Sequence, residues 1–161
     1  MIDELDRKLL EELQKDGRKT YIELGTTLGV VEGTVRKRVK QLIDKRILKI
    51  VAVPNLSELG YRFMNVMAIQ VKMADLRIVA DALAVKPNVC HLAFVTGRYD
   101  LIAVIVTHTP EELSRFIENE ISAISSILRT ETFVELDIIK GKWLGMDTTK
   151  LISNLDISLN K

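Results

Sequence analysis

The stretch that decides the N-terminal half of the chain is VEGTVRKRVKQLIDKRILK, residues 31–49. Its apolar residues recur at helical spacing and form one narrow stripe. That stripe consists of Val35, Val39, Leu42 and Ile43. The other positions carry seven cations between residues 34 and 49, where Asp44 is the single acid. A helix with an apolar stripe and a basic outer surface suits the major groove of DNA, although an ordinary solvated helix has the same pattern.

The positive charge is concentrated in this one stretch. The chain has 161 residues, 47% of them hydrophobic, and a formal net charge of only +1. Residues 1–60 contain 12 Lys+Arg against 10 Asp+Glu, and the rest of the chain contains 11 against 12. The basic excess therefore belongs to one helix rather than to the whole chain. The length leaves room for one large or two small domains, and the apolar content is enough for packed cores.

Cysteine content, the N-terminal residues and the lengths of the apolar runs exclude several classes of protein. Cys90 is the single cysteine, which excludes an intrachain disulfide and leaves too few thiols for a zinc finger. The first residues, MIDELDRKLLEEL, are charged and amphipathic, unlike a secretory signal. No uninterrupted apolar run approaches the about 18 residues that cross a bilayer. We therefore expect a soluble cytoplasmic protein without a cofactor or metal.

Two shorter helical patterns precede the basic helix. In residues 3–15, leucines at helical spacing predict an amphipathic helix. Thr20 and Glu23 form the capping-box pattern of a second helix, which Gly29 ends. Two short helices around a glycine-bearing turn, the second of them basic, are typical of a helix-turn-helix. An αα-hairpin without a ligand would have the same outline.

The residues that follow the basic helix predict a strand and then a boundary. Residues 47–53 (ILKIVAV) are apolar and mostly β-branched, and Pro54 ends the run. A strand in this place is typical of the wing of a winged helix-turn-helix, so we assign residues 1–53 to a DNA-binding domain. Residues 54–62 are the predicted linker, with Gly60 as its hinge.

The second half of the chain has the order β-α-β-β-α-β. The predicted strands are residues 63–73, 89–96, 101–107 and 130–139. Asp75 is expected to cap a helix that runs to Val85, and Thr109 begins another with Pro110 at its first position. The predicted inward residues are Ile78, Val79, Ala82 and Leu83 in the first helix and Leu113, Phe116, Ile117 and Ile121 in the second. The chain is thus predicted to be α+β, with a winged helix-turn-helix followed by a ferredoxin-like βαββαβ domain over residues 63–140.

The sequence of the third strand of this domain differs from the pattern expected for a sheet with one face exposed to water. Residues 101–106 are six consecutive apolar residues, whereas a half-exposed strand alternates apolar and polar side chains. The open face of the sheet must therefore be covered. We expect a second copy of the same sheet, because regulators with one recognition helix per chain usually act as dimers. The alternative cover is the C-terminal segment of the same chain, residues 141–161.

Three stretches resemble one protein family. LDRKLLEELQKDGRKT (residues 5–20), LGVVEGTVRKRVKQL (28–42) and GRYDL (97–101) are similar, in this order, to the Lrp/AsnC regulators, also called feast/famine proteins. The resemblance covers residues 3–140. It implies an N-terminal winged helix-turn-helix and a C-terminal ferredoxin-like domain that senses small molecules. It also implies homo-oligomers, namely dimers that are often joined into tetramers, octamers or larger rings.

Two positions depart from the family pattern. The family usually has Ser where this chain has Val31, and losing a serine cap typically costs a helix about 1 kcal/mol. Glu32 in the first turn offsets part of that cost through the helix dipole. The family also usually has Gly where Arg46 stands, and a left-handed conformation at a non-glycine residue costs about 1 kcal/mol. We expect this chain to differ from its relatives at the start of the basic helix.

The candidate DNA contacts lie near the N-terminal end of the basic helix, the end that enters the groove in this motif. Arg38 lies close to the apolar stripe, where it either braces an acid of the first helix such as Asp6 or contacts phosphate. Lys40, Lys45 and Arg46 suit phosphate contacts. The predicted residues that bind double-stranded DNA are Glu32, Gly33, Thr34, Arg36, Lys37, Arg38, Lys40, Lys45 and Arg46.

The resemblance places effector binding where C-terminal domains meet, at a Gly-x-x-Asp turn, which is GRYD at residues 97–100 of this chain. The same residues also form turns wherever strands reverse. Backbone N–H groups of the turn suit a carboxylate and Asp100 suits an ammonium group, so an amino acid or similar small metabolite is the predicted effector. The predicted effector-binding residues are Gly97, Arg98, Tyr99, Asp100 and Thr132.

Two other functions fit parts of the sequence. Some chains that resemble this family are sirohaem decarboxylases that use histidine and arginine on the sheet, for which His91, His108, Arg98 and Arg129 are candidates. However, no acid–base pair, metal spacing or nucleophile motif stands out in the sequence, and a basic recognition helix has no use in a decarboxylase. The other alternative is an effector-sensing partner that has lost DNA binding. We predict a sequence-specific DNA-binding transcriptional regulator and not an enzyme.

Overall fold

The computed structural model describes residues 2–137 and residue 139. The chain divides into one unit from Met1 to Ala52 and a second unit that begins at Val53. The tail at residues 141–161, for which the sequence suggests a docked helix or an extra strand, lies outside the described residues. Among the described helices, none is long and apolar enough to span a bilayer.

The first unit consists of three helices around a small apolar core. Helix α1 runs from Glu4 to Lys15, α2 from Tyr21 to Leu28 and α3 from Glu32 to Asp44. The core residues of the unit are Leu9, Leu13, Leu24, Val35 and Val39. Helix α2 begins at the predicted Thr20–Glu23 capping box and ends at Gly29, whose φ of 70° lies in the left-handed region. The predicted helix-turn-helix is therefore confirmed.

Ile43 does not belong to the buried stripe of α3, contrary to the prediction. Its side chain is 43% exposed, whereas the preceding Leu42 is 2% exposed. Successive residues of an α-helix are rotated by about 100°, and that rotation carries Ile43 past the edge of the core. The buried stripe therefore consists of Val35, Val39 and Leu42.

The predicted wing strand at residues 47–53 is also wrong. This described segment contains no strand. Ile47 and Leu48 instead donate their backbone N–H groups to the Leu42 carbonyl, at 2.9 and 3.2 Å. A β-branched run forms a strand when a neighbouring strand completes the ladder of hydrogen bonds, and the described residues of the first unit provide no such neighbour.

The second unit contains an antiparallel sheet of four strands in the spatial order β2-β3-β1-β4. Its strands are β1 (Phe63–Val71), β2 (Val89–Phe94), β3 (Leu101–Thr107) and β4 (Ile127–Val134). Helix α4 (Leu76–Ala84) connects β1 to β2, and α5 (Pro110–Phe116) with a π-helical turn (Ile117–Ile121) connects β3 to β4. This order is the predicted βαββαβ order, and the ferredoxin-like fold is confirmed.

The inward face of α4 differs from the prediction, since Ala80 is buried and Ala82 is only half-buried. Val79, Ala80 and Leu83 are buried, whereas Ile78 is 68% exposed. A short 3-10 turn (Met73–Asp75) precedes the helix. Successive helical residues are rotated by about 100°, so Ile78 lies on the side of Val79 that is away from Ala80 and Leu83. The Asp75 side chain does not cap the helix, because it accepts a hydrogen bond from Ser126 Oγ at 2.6 Å.

Strand β4 starts earlier and ends earlier than predicted. It begins at Ile127 rather than at residue 130, and it ends at Val134. Leu136, within the predicted strand, is 96% exposed, and Ile138 lies outside the described residues. The strand is set by its register with β1, in which Thr132 lies opposite Met67, rather than by the alternation at its C-terminal end.

The face of the sheet that lies opposite the helices is partly covered by the same chain. Leu56 and Tyr61 are buried there against Met64, Val104 and Val106. Neither cover considered from the sequence, a second copy or the C-terminal segment, explains this contact. The six consecutive apolar residues of β3 are thus accounted for in part by residues 56–61, which precede β1 rather than follow β4.

Candidate DNA-reading surface and effector turn

A recess on the outward side of α3 collects several of the predicted DNA contacts. It is lined by Val31, Gly33, Thr34, Lys37, Arg38 and Gln41. Lys37 is exposed, and Lys40 lies exposed on the next turn of the same side. Among the described residues, no carboxylate lies within 4 Å of either lysine. These two side chains are therefore free to meet phosphates.

Arg38 behaves differently from the lysines because it joins α3 to the start of α1. Its Nη1 atom lies 2.7 Å from Asp3 Oδ2 and 3.4 Å from Asp6 Oδ2. The two acids also cap α1 reciprocally, since each accepts a hydrogen bond from the backbone N–H of the other. The Asp6 backbone N–H lowers the pKa of Asp3, and the charge of Arg38 lowers it further. Of the two roles considered for Arg38, the structure shows the brace.

Arg36 lies on the flank of α3 that faces the start of α2. It forms an ion pair with Glu32, one turn earlier on the same helix. Its guanidinium carbon is 5.3 Å from the centre of the Tyr21 ring, within the range of a cation–π contact. Glu32 and Arg36 therefore lie on a different side of α3 from Lys37.

The basic residues at the C-terminal end of α3 leave the helix in an unusual turn. Lys45 ends α3, and Arg46 has a φ of 57°, the left-handed conformation usual for Gly. Its backbone N–H donates to the Ile43 carbonyl at 2.8 Å, which completes the turn. Both side chains are exposed.

The turn at residues 97–100 of the second unit is stabilised by hydrogen bonds within the chain. Gly97 has a φ of 124°, and a Cβ at that position would meet nothing within 4 Å. Asp100 Oδ2 accepts the backbone N–H of Val71 at 2.8 Å, and the Asp100 backbone N–H donates to the Ile69 carbonyl at 3.0 Å. Asp100 thus fixes the turn to the end of β1.

Tyr99 and Arg98 differ in what they contact. The Tyr99 hydroxyl donates a hydrogen bond to Glu131 on β4. This bond raises the pKa of Tyr99 above its ordinary value, and burial of the phenol adds to the effect. Arg98 is exposed. The turn therefore presents an open backbone at Gly97 and an exposed Arg98 that forms no ion pair with the described residues, beside a tyrosine that is already bonded.

Family models match both units. Residues 2–43 match the AsnC-type helix-turn-helix domain, and residues 63–142 match the Lrp/AsnC ligand binding domain. The chain is 36% identical over 141 residues to an uncharacterised HTH-type transcriptional regulator of Pyrococcus furiosus. The aligned residues cover 87% of this chain and 95% of the relative. This chain belongs to the Lrp/AsnC family. It is a helix-turn-helix transcriptional regulator with a ligand-binding domain.

Solved structures have the same fold as this Lrp/AsnC chain. AsnC of Escherichia coli is 27% identical, with a TM-score of 0.83 over 88% of this chain and 97% of that one. A regulator of Neisseria meningitidis, solved in complex with L-methionine, is 22% identical and has a TM-score of 0.83 over 89% and 95%. At 22% identity, the second likeness shows the fold alone.

The structure adds one residue to each predicted site of this Lrp/AsnC protein, and it places one predicted residue away from its site. Gln41 lines the α3 recess and Glu131 binds Tyr99, but neither is in the predicted sets. Gln41 follows Lys37 by one helical turn, a spacing that was available in the sequence. Thr132 lies opposite Met67 of the helix-side core, so it points to the other face of β4 from Glu131. Thr132 therefore does not join the turn within one chain.

The histidines of the enzyme alternative lie in separate surroundings. His91 is exposed on β2, opposite Val104. His108 Nδ1 is 2.9 Å from Glu112 Oε2. Burial would raise the pKa of Glu112, but hydrogen bonds from His108 and Asn88 outweigh it and keep the pKa below its ordinary value. No group of three or more metal-ligating side chains occurs among the described residues. The Lrp/AsnC relatives are named transcriptional regulators, which gives the enzyme alternative no support.

Proposed function

We propose that this Lrp/AsnC regulator reads double-stranded DNA with the outward side of α3, and that Lys37 and Lys40 hold phosphates beside the bases. The observation that supports this proposal is the contrast between neighbouring cations. Arg38 is bound to Asp3 and Asp6, whereas Lys37 and Lys40 are exposed and, within the described residues, have no acid within 4 Å. Gly33, Thr34 and Gln41 line the same recess as Lys37 and offer groups for base edges.

Binding of the full chain to the DNA upstream of its own gene tests this proposal. We expect Lys37→Ala to weaken binding to all sequences and to reduce the slope of log K against log salt by about one, because one counterion fewer is released. Lys8→Ala is the matched control, since Lys8 is an exposed lysine of α1 that lies 3.9 Å from Glu4. Unchanged affinity and slope in Lys37→Ala would remove this residue from the interface. No binding by the wild-type chain would favour the partner that has lost DNA binding.

The second part of the proposal is an amino-acid effector at the turn formed by residues 97–100. The exposed Arg98 and the open backbone at Gly97 suit a carboxylate. Asp100 uses Oδ2 for Val71, and a carboxylate with two oxygens accepts further bonds, which suits an ammonium group. The Neisseria regulator of the same fold, solved with L-methionine, supports the choice of an amino acid.

A calorimetric screen of the twenty amino acids tests the effector proposal. We expect at least one to bind and to lose affinity in Asp100→Asn, which removes the charge but keeps an oxygen for the Val71 N–H. Hydrogen exchange at Val71 shows whether that bond persists in the variant. An absence of heat with all twenty amino acids would defeat the proposal.

The third part is self-association into at least a dimer, with a tetramer or octamer as larger forms. Residues 56–61 cover the sheet near Met64 and Val106, while Phe133, on the same face of β4, is 53% exposed. An exposed phenylalanine beside Val66 and the covered apolar residues of this face supports a contact with a second copy. Light scattering at micromolar concentration tests this part, and a stable monomer would contradict it.

A further inference from the structure

Val31 presents two methyl groups to solvent at the end of α3 that enters the groove in the proposed mode of DNA reading. Its side chain is 72% exposed, whereas Val35 and Val39 of the same helix are fully buried. Val31 is the N-cap residue of α3, and its side chain makes no capping hydrogen bond. Neither the core nor the helix terminus therefore accounts for a valine here.

Most of the residues that line the recess with Val31 are polar. Thr34, Lys37 and Gln41 supply hydrogen-bonding groups, and the guanidinium of Arg38 is held by Asp3. Gly33, next to Val31, has no side chain, and a Cβ there would meet nothing within 4 Å. The backbone beside Val31 is therefore open to the close approach of a base edge.

The chemistry of the major groove limits what an apolar group in this place can recognise. Base pairs present hydrogen-bond donors and acceptors there, and the apolar group among them is the C5-methyl of thymine. We propose that Val31 is a specificity-determining residue that contacts a thymine methyl. The inference rests on the proposed DNA-reading role of α3. The family usually has a serine at this position. A serine would cap the helix, but it would present a hydroxyl to the thymine methyl where Val31 presents two methyl groups.

Selection from random-sequence duplexes, followed by removal of single methyl groups, tests this inference. The full chain is first used to select its preferred site, and each thymine is then replaced by deoxyuridine, which lacks the C5-methyl. We expect one thymine per half-site at which the wild-type chain loses affinity about fourfold, the size expected for one buried methyl group. Val31→Ala should lose most of that sensitivity.

Two further variants separate the contact from effects on the helix. Ile43→Ala removes apolar volume from the opposite end of α3, where Ile43 is 43% exposed, and should keep the full response to deoxyuridine. Val31→Ser should increase hydrogen-exchange protection in the first turn of α3, because it restores a cap, and still lose the response to the methyl.

The outcomes distinguish this inference from the proposed function. If the wild-type chain selects a site but no thymine methyl matters, or if Val31→Ala responds as strongly as the wild type, the role of Val31 is overturned and DNA reading by α3 stands. If no sequence is selected at all, the proposed DNA-reading function fails, and the inference fails with it.

Discussion

The outward surface of α3 and the turn at residues 97–100 use their polar groups in opposite ways. On α3, Lys37 and Lys40 are exposed and have no acid within 4 Å among the described residues. At the turn, Asp100 accepts the Val71 N–H and Tyr99 donates to Glu131. On α3 the bonds that hold the fold are made by Arg38, which binds Asp3 and Asp6. At the turn they are made by Asp100 and Tyr99 themselves. A site whose groups also hold the fold together changes shape when it is altered, and a site of free groups does not.

The largest effect that we expect from this difference is at Asp100. Asp100→Ala should lower the free energy of unfolding of the second unit by about 2 kcal/mol, because the amide of the buried Val71 loses its acceptor. Chemical denaturation of the full chain with residue-level hydrogen exchange measures the change. Asp81→Ala is the control, since its carboxylate is 73% exposed and 3.9 Å from Arg77, and it should change little. Equal, small effects of both variants would mean that the turn is no more structural than the α3 surface.

The next effect separates two arginines of α3 that have similar partners. Arg38→Ala should lower the stability of the first unit by about 1 to 2 kcal/mol, because the buried Asp6 loses its cation, with the partial exposure of Arg38 reducing the effect. Arg36→Ala should cost less than about 0.5 kcal/mol, since its pair with Glu32 is largely exposed. Hydrogen exchange of α1 and α3 amides in the full chain measures both. Equal losses would show that Arg36 supports α3 as much as Arg38 does.

The same contrast explains which features of the structure can be predicted from the sequence. Periodicity and local hydrogen bonding predict the basic helix α3, the Thr20–Glu23 cap and the order of the strands. The structure contains all three. The role of Arg38 requires the distance to Asp3 and Asp6 across helices, which sequence spacing does not contain. Glu131 is missing from the predicted effector site for the same reason, because 32 residues separate it from Tyr99.

The remaining errors of the sequence reading come from partners that local pattern cannot supply. Residues 47–53 have the composition of a strand, yet no neighbouring strand completes a ladder within the described part of the first unit. The prediction places Thr132 at the turn because its strand is expected there, whereas its register opposite Met67 directs its side chain to the other face. Periodicity predicts that a strand exists, but long-range pairing decides which way its side chains point.

The smallest effect that we expect lies at Arg46, where stability and the predicted DNA contact favour different residues. Arg46→Gly should raise the stability of the first unit by up to about 1 kcal/mol, because glycine adopts the left-handed conformation without the steric cost. The same change removes a cation, so DNA affinity should fall and the salt dependence should flatten. Lys45→Gly is the matched control: its φ of −80° gains nothing from glycine, so it should lose the charge and also some stability. Higher stability with weaker DNA binding in Arg46→Gly alone would show that this chain keeps an arginine in a strained turn for its charge, whereas unchanged DNA binding would leave the strain without a function.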